Sequence, residues 1–261
     1  MQTKYPIVLV HGIAVKDIRF FRAFGYIDRL LKIQGYHVYL SKHDAFGTCK
    51  TNAEQIKSHI LEIMKDEGVD KVNIIAHSKG GLDAKYMIKE LDMEDHVASL
   101  TTLCTPHRGS PIASNVLRLP KWILAIIAFF VNTFYRIFGD KHPNALEVCK
   151  ELERKNVDEK DLMNFSDKVY CQSFSCTMKK AKDDFWMSIP LTFSHYFEKK
   201  VPSDGLVPQD STIFGVYRGE AIDGASISHS EIMDYMTSSK KKDKVYHFYS
   251  MLCEELVNMG F

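Results

Sequence analysis

The chain is expected to be α/β, a mostly parallel sheet with helices on both faces. Three observations predict this. Short apolar runs, Pro6–Val10 (PIVLV), Val72–Ala76 (VNIIA) and Val97–Cys104 (VASLTTLC), are of the kind that make strands buried on both faces. Segments of helical period separate them, and alternation of strand and helix implies right-handed crossovers in a parallel sheet. His11, Ser78 and Thr105 all fall at the carboxyl ends of such strands, where open α/β sheets carry their functional loops.

Composition sets the bounds. The 261 residues are 45% hydrophobic and 26% charged, enough for one domain (1–261) with a full core. No repeat, low-complexity tract or Pro/Gly-rich linker divides them. A net charge of +1 lacks the basic excess that nucleic-acid binding requires. The six cysteines have no metal-ligand spacing and read as free thiols, several of them in apolar contexts. Met1–Tyr5 leads straight into a strand with no secretory signal, so a reducing cytoplasmic setting is expected.

In chain order, PIVLV is followed by His11-Gly12-Ile13, where glycine lets the backbone turn close to whatever sits above the sheet. Phe21–Gln34 reads as a helix closed by Gly35, His37–Ser41 as a strand, and Thr51–Asp66 as a helix with Ile56, Ile60 and Ile63 at helical spacing. Then comes Lys71–Tyr86, KVNIIAHSKGGLDAKY, around which the chain is organised. His77-Ser78-Lys79-Gly80-Gly81 reverses the chain between a buried strand and a helix, Leu82–Leu91. A serine on such a turn is a nucleophile elbow, here A-x-S-x-G. The sharp turn forces unfavourable angles on the serine and brings its neighbours close, so positions two before and two after must be small; Ala76 and Gly80 are. The competing reading is a serine that simply caps a helix.

After Val97–Cys104 comes the loop Thr105–Ser110, whose His107 is expected to organise polar groups rather than act as a base. Leu117–Phe138 is the most apolar region, but Lys121, Asn132, Thr133 and Arg136 interrupt it, and Trp122–Val131 is too short to span a bilayer. It is either a buried core helix or a cap over a lipid-accepting cleft. Its place between two sheet strands favours the cap. Polar helical segments over Pro143–Asn164 complete the insertion, taken as residues 111–166. Lys168–Phe174 resumes the sheet, and Thr212–Val216 offers one more strand. Lys240–Lys242 reads as a solvated loop before a C-terminal helix, Asp243–Val257.

The partners of Ser78 follow from chain order. Asp204 lies in an S-D-G turn, which would favour aspartate for its own sake, and His229 in a polar loop late in the chain. Ser78, Asp204 and His229 stand in the order nucleophile, acid, base of a strand–turn–helix hydrolase. His37, His43 and His59 precede the elbow, and His195 and His247 lack the matching turn. The oxyanion donors of this architecture are main-chain amides, one after the first strand and one after the nucleophile, which here are Ile13 and Lys79.

Five blocks, Tyr5–Gly12, Val72–Tyr86, Thr101–Ser110, Val169–Phe174 and Asp204–Val207 with His229, stand in order over nearly the whole chain. Together they resemble the bacterial triacylglycerol lipases of the α/β-hydrolase superfamily. The resemblance implies Ser78 as nucleophile, His229 as general base and acid, Asp204 as its orienting partner, Ile13 and Lys79 as oxyanion donors, and the apolar insertion as a lid. It implies a serine carboxylic-ester hydrolase, a lipase cleaving acylglycerol esters, with lipid or small ester as substrate and transient lipid-interface contact through the lid. A short-chain esterase, phospholipase or acyltransferase would share the fold, and a non-catalytic membrane- or partner-binding protein is the alternative of another class. The chemistry requires no cofactor. Several such lipases hold a structural calcium through two aspartates, one placed two residues after the histidine. That position here is Glu231, with Asp184 the candidate for the other, and the exchange weighs against calcium.

Overall fold

Strand pleat sorts the apolar residues into two cores. Ile7 and Leu9 of β1 (Ile7–Val10) and Ile75 of β3 (Val72–His77) face one side, where they pack with Ile27 and Leu31 of α1 (Ile27–Ile33) and Phe248, Tyr249 and Leu252 of α7 (Ser239–Asn258). Val8, Val10, Ile74 and Ala76 face the other, against α2 (Cys49–Glu67) and α3 (Lys79–Glu90). Alternate residues pointing to opposite faces of a sheet covered on both sides give this division.

The computed structural model describes the chain apart from residues 1, 14–21, 156–161, 164, 181–182, 185–186, 189–190, 193–200 and 236. Among the described residues six strands form one parallel sheet in the order β2-β1-β3-β4-β5-β6, where β2 is Val38–Leu40, β4 Val97–Leu103, β5 Tyr170–Ser175 and β6 Val216–Glu220. Polar residues inside the buried strands find one another. The Ser99 hydroxyl donates to Asn73 Oδ1 at 2.7 Å, and Gln172 Nε2 donates to Thr101 Oγ1 at 3.0 Å. These bonds remove the penalty for burying polar groups without partners.

Several boundaries differ from expectation. The helix expected from Phe21 begins at Ile27, because Gly25 takes a left-handed φ of 46° against Asp234; residue 21 lies outside the described residues. α2 starts at Cys49, capped by Thr48, whose hydroxyl accepts the Thr51 N–H. The strand expected at Thr212–Val216 is a 3₁₀ turn over Gln209–Thr212 followed by β6, since Gly215 at φ 53° breaks the extended chain between them. The three lysines 240–242 are not a loop but the first turn of α7.

Between β4 and β5 lie α4 (Pro111–Val116), α5 (Lys121–Ile137) and α6 (Ala145–Glu151); part of the expected segment 143–164 is outside the described residues. α5 is not a core helix. Leu124 is its one buried residue, whereas Trp122, Phe129 and Phe130 are 67%, 65% and 66% exposed. No described helix is long and apolar enough to cross a membrane. Carboxylates tie the end of this segment to the body: Asp140 accepts the backbone N–H groups of Ala45 and Phe46, and Asp44 those of Lys141 and His142.

Candidate active site

Ser78 sits between β3 and α3 with φ 54° and ψ −133°, an angle pair that a residue with a Cβ adopts only when its surroundings impose it. The imposition is visible next door. A Cβ on Gly80 would lie 2.3 Å from the carbonyl oxygen of His11, and one on Gly12 would lie 2.7 Å from Cβ of Ser78. The loop after β1 therefore lies directly against the elbow, backbone to backbone. α3 starts at Lys79, three residues before the expected start, so the serine stands at the helix N-terminus.

The structure brings Ser78, His229 and Asp204 together. His229 Nε2 is 2.9 Å from Ser78 Oγ, and His229 Nδ1 is 2.7 Å from Asp204 Oδ2. All three are buried, with Ser78 6% and His229 7% exposed. Asp204 is held from its other oxygen: Oδ1 accepts the N–H groups of Leu206 and Val207 at 2.9 and 2.8 Å, the hydrogen-bonding expected of an aspartate turn. The His229 backbone N–H also donates to the Asp204 carbonyl at 2.9 Å, which ties the two loops together.

The surroundings fix the imidazole. His77 Nε2 lies 2.9 Å from the His229 carbonyl and acts as donor there; burial, then the neighbouring His229, holds the His77 pKa well below its ordinary value, so its ring is neutral. Cys104, at a left-handed φ of 53°, brings its sulfur within 4.8 Å of the ligand atoms of Asp204 and His229. Burial, then Cys176 and Asp204, pushes this thiol well above its ordinary pKa, and it remains a neutral S–H.

Lys79 carries a second network. Its ammonium is buried and pairs with Asp83, with Glu151 of α6 at 3.7 Å. Burial alone would lower its pKa, but Asp83, Cys49 and Glu151 together more than offset that and raise it. Glu151 in turn accepts the Cys49 N–H at 2.9 Å, so the residue after the serine is linked to the insertion. Ile13 packs against Ala113, Val148 and Leu152 of the same insertion. His107 lies apart, buried against Phe214 and 3.1 Å from Thr102 Oγ1. His195 is outside the described residues.

Sequence reasoning did not find Cys104, the His77 contact or the Lys79–Asp83–Glu151 network. An i, i+4 Lys–Asp pair right after a nucleophile elbow was the one available signal for the last; the others depend on contacts between distant segments.

A family model described as palmitoyl protein thioesterase matches residues 6–157. Triacylglycerol lipase 2 of Saccharomyces cerevisiae is 27% identical over 266 residues, covering 90% of this chain and 73% of that protein. A triacylglycerol lipase of Pseudarthrobacter phenanthrenivorans is 34% identical over 151 residues, covering 54% of this chain and 46% of that one. The chain therefore spans less than half the length of this bacterial relative. Among solved structures, Staphylococcus hyicus lipase superposes with a TM-score of 0.66 at 15% identity, over 98% of this chain and 97% of the other. Mature Bacillus licheniformis lipase BlEst2 gives 0.61 at 19%, over 93% and 92%. These structural likenesses show the fold. The chain belongs to the palmitoyl protein thioesterase family and is a carboxylic ester hydrolase of the α/β-hydrolase superfamily.

Proposed function

We propose that the chain is a serine carboxylic-ester hydrolase, a lipase that cleaves acylglycerol esters through Ser78, His229 and Asp204 by way of an acyl-enzyme. The observation that carries this reading is the pair of contacts on one imidazole, 2.9 Å to Ser78 Oγ and 2.7 Å to Asp204 Oδ2. With Nδ1–H donating to Asp204, the lone pair of His229 lies on Nε2 and faces the hydroxyl. His229 takes the Ser78 proton as Oγ attacks the ester carbonyl. The amides of Ile13 and Lys79 donate to the oxyanion, each worth about 10²–10³ in rate in comparable sites. The tetrahedral species collapses as His229 gives its proton to the departing alcohol. Water, deprotonated by His229, then attacks the acyl carbonyl and releases the acid. No step needs a cofactor.

The insertion 111–166 is the lid in this reading. Ser78 and His229 are buried, and in this reading the covering segments part to admit the acyl chain. α5 suits a lipid interface: its exposed face is aromatic and aliphatic, and residues 111–139 contain Arg118, Lys121 and Arg136 but no acidic residue.

A second reading, a fatty acyl thioester as substrate, is favoured by the family match. The same residues would cleave the weaker C–S bond with a thiol as leaving group. Hydrolysis of p-nitrophenyl esters from acetate to palmitate, set beside thiol release from a palmitoyl thioester, tests both, with Ser78→Ala as control. Activity rising with chain length on oxygen esters and lost in the variant supports the lipase. Preference for acetate or butyrate points to a small-ester esterase, faster turnover of the thioester to the second reading, and no turnover of any acyl donor by a folded chain to a binding protein.

A further inference from the structure

The turn that carries His229 is clamped by charge. Glu231, two residues beyond the imidazole and buried, accepts the Ser228 N–H on Oε2 at 3.0 Å. Its two oxygens also accept from the Lys241 ammonium at 2.8 and 2.7 Å, and the same ammonium donates to the Asp183 carbonyl at 3.3 Å. Asp184 Oδ2 accepts the hydroxyls of Ser228 at 2.6 Å and Ser230 at 3.1 Å. The first turn of α7 thus grips one side of the loop and residues 183–184 the other.

The placement of the lysine is locally unfavourable. Lys240, Lys241 and Lys242 occupy the first turn of α7, at the positive end of the helix dipole, where acidic residues are preferred. Lys241 and Lys242 are offset by acids from another segment, Glu231 and Asp234. A residue that opposes its own helix is explained by what it reaches.

Glu231 and Asp184 are the positions where the lipase resemblance would put a calcium ion, and they do not fit one. Calcium takes about six to eight oxygens at about 2.3–2.6 Å. Here the Glu231 carboxylate already holds an ammonium on both oxygens, and a divalent ion beside it would add like-charge repulsion. Among the described residues neither acid belongs to a cluster of three converging ligand groups. The one such cluster, Cys104, Asp204 and His229, is built around the Asp204–His229 hydrogen bond.

We propose that Lys241 is the resident cation of this loop, a positioning residue that holds His229 against Ser78 through Glu231 and makes the site independent of calcium. Its kinetic consequence rests on His229 being the base; its consequence for stability does not.

The test is thermal melting of the full chain in EDTA and in millimolar calcium, with Lys241→Met and Lys241→Arg beside it. The native chain melts at the same temperature in both solutions. Lys241→Met melts about 3–8 °C lower, and its kcat on p-nitrophenyl butyrate falls about tenfold with KM within about twofold. Lys241→Arg restores most of both. A native melting point lowered by EDTA or raised by calcium overturns the proposal, and this arm stands even where Lys241→Met fails to fold. A Lys241→Met variant with native melting point and kcat overturns it too. If the native chain turns over no ester, the melts still decide for or against Lys241, and the failure belongs to the ester-hydrolase reading.

Discussion

Gly80→Ala asks whether the contact between the elbow and the loop after β1 sets the rate. The added Cβ would lie 2.3 Å from the His11 carbonyl oxygen, 2.8 Å from that of Val10 and 3.0 Å from the His11 carbonyl carbon. Ordinary carbon–oxygen contacts lie near 3.3 Å, so the two backbones must separate by about 1 Å. Every obstructing atom is main chain, and no side-chain rotation relieves the clash. Overpacking of this kind costs about 1–3 kcal/mol, against about 1 kcal/mol recovered by alanine over glycine in a helix, so the protein stays folded and melts a few degrees lower. The rate suffers more. The displaced strand end carries His11-Gly12-Ile13, and a misplacement of about 1 Å in a catalytic group costs about 10² in rate. Gly68→Ala is the control: Gly68 caps α2 at φ 68° with nothing within 4 Å of an added Cβ. It loses about 1 kcal/mol from the left-handed backbone and no activity. The assay is kcat/KM on p-nitrophenyl butyrate with a melt of each variant. A folded Gly80→Ala whose kcat/KM stays within about threefold of native, under about 0.7 kcal/mol of barrier, would refute the reasoning.

Other perturbations follow from the same geometry. His77 and His107 are buried and held neutral, their pKa values depressed first by burial, with His229 next for the one and Lys85 for the other. Each takes up its proton only on unfolding, so stability is full above the ordinary histidine pKa of about 6.5 and falls below it. Together they contribute a slope that steepens below about pH 6.5 to at most about 2.7 kcal/mol per pH unit; denaturant unfolding from about pH 8 to about pH 5 reads it, and a flat profile would contradict the burial of both rings. Asp204→Asn should lower kcat by an amount on the order of 10⁴, measured with the melting point held near native; a near-normal rate would move the role to Asp223 or to Asp210, which pairs with Arg154 at 2.5 Å. Phe129→Ser with Phe130→Ser should weaken sedimentation with anionic lipid vesicles at least about tenfold, or about 1.4 kcal/mol, while leaving hydrolysis of soluble acetate esters intact. Unchanged vesicle binding would remove α5 from the lipid contact.

What could be read from the chain alone was whatever local pattern dictates. Ala76 and Gly80 around a serine between an apolar run and a helix foretell a strained turn, and Ser78 has the positive φ that such a turn imposes. Chain order with turn context picks out Asp204 and His229 from several acids and histidines, and the fold places His229 within hydrogen-bond reach of Ser78 and Asp204 within reach of His229. What escaped was set at a distance. α1 starts late because Gly25 turns against Asp234, a residue 209 positions further on. The lysines of α7 look like a solvated run until Glu231 and Asp234 are placed beside them. Cys104 reads as one more strand residue, and its place beside Asp204 and His229 follows from a left-handed backbone that no local signal announces.

The most direct measurement is covalent labelling of the native chain with a fluorophosphonate, followed by intact mass and peptide mapping, because this reagent reports an activated serine without any choice of substrate. One adduct on Ser78, absent in Ser78→Ala and strongly slowed in His229→Ala, is the predicted result. A folded chain that takes up no label, or takes it on another residue while Ser78 stays free, would contradict the assignment of Ser78 as nucleophile and with it the proposed function.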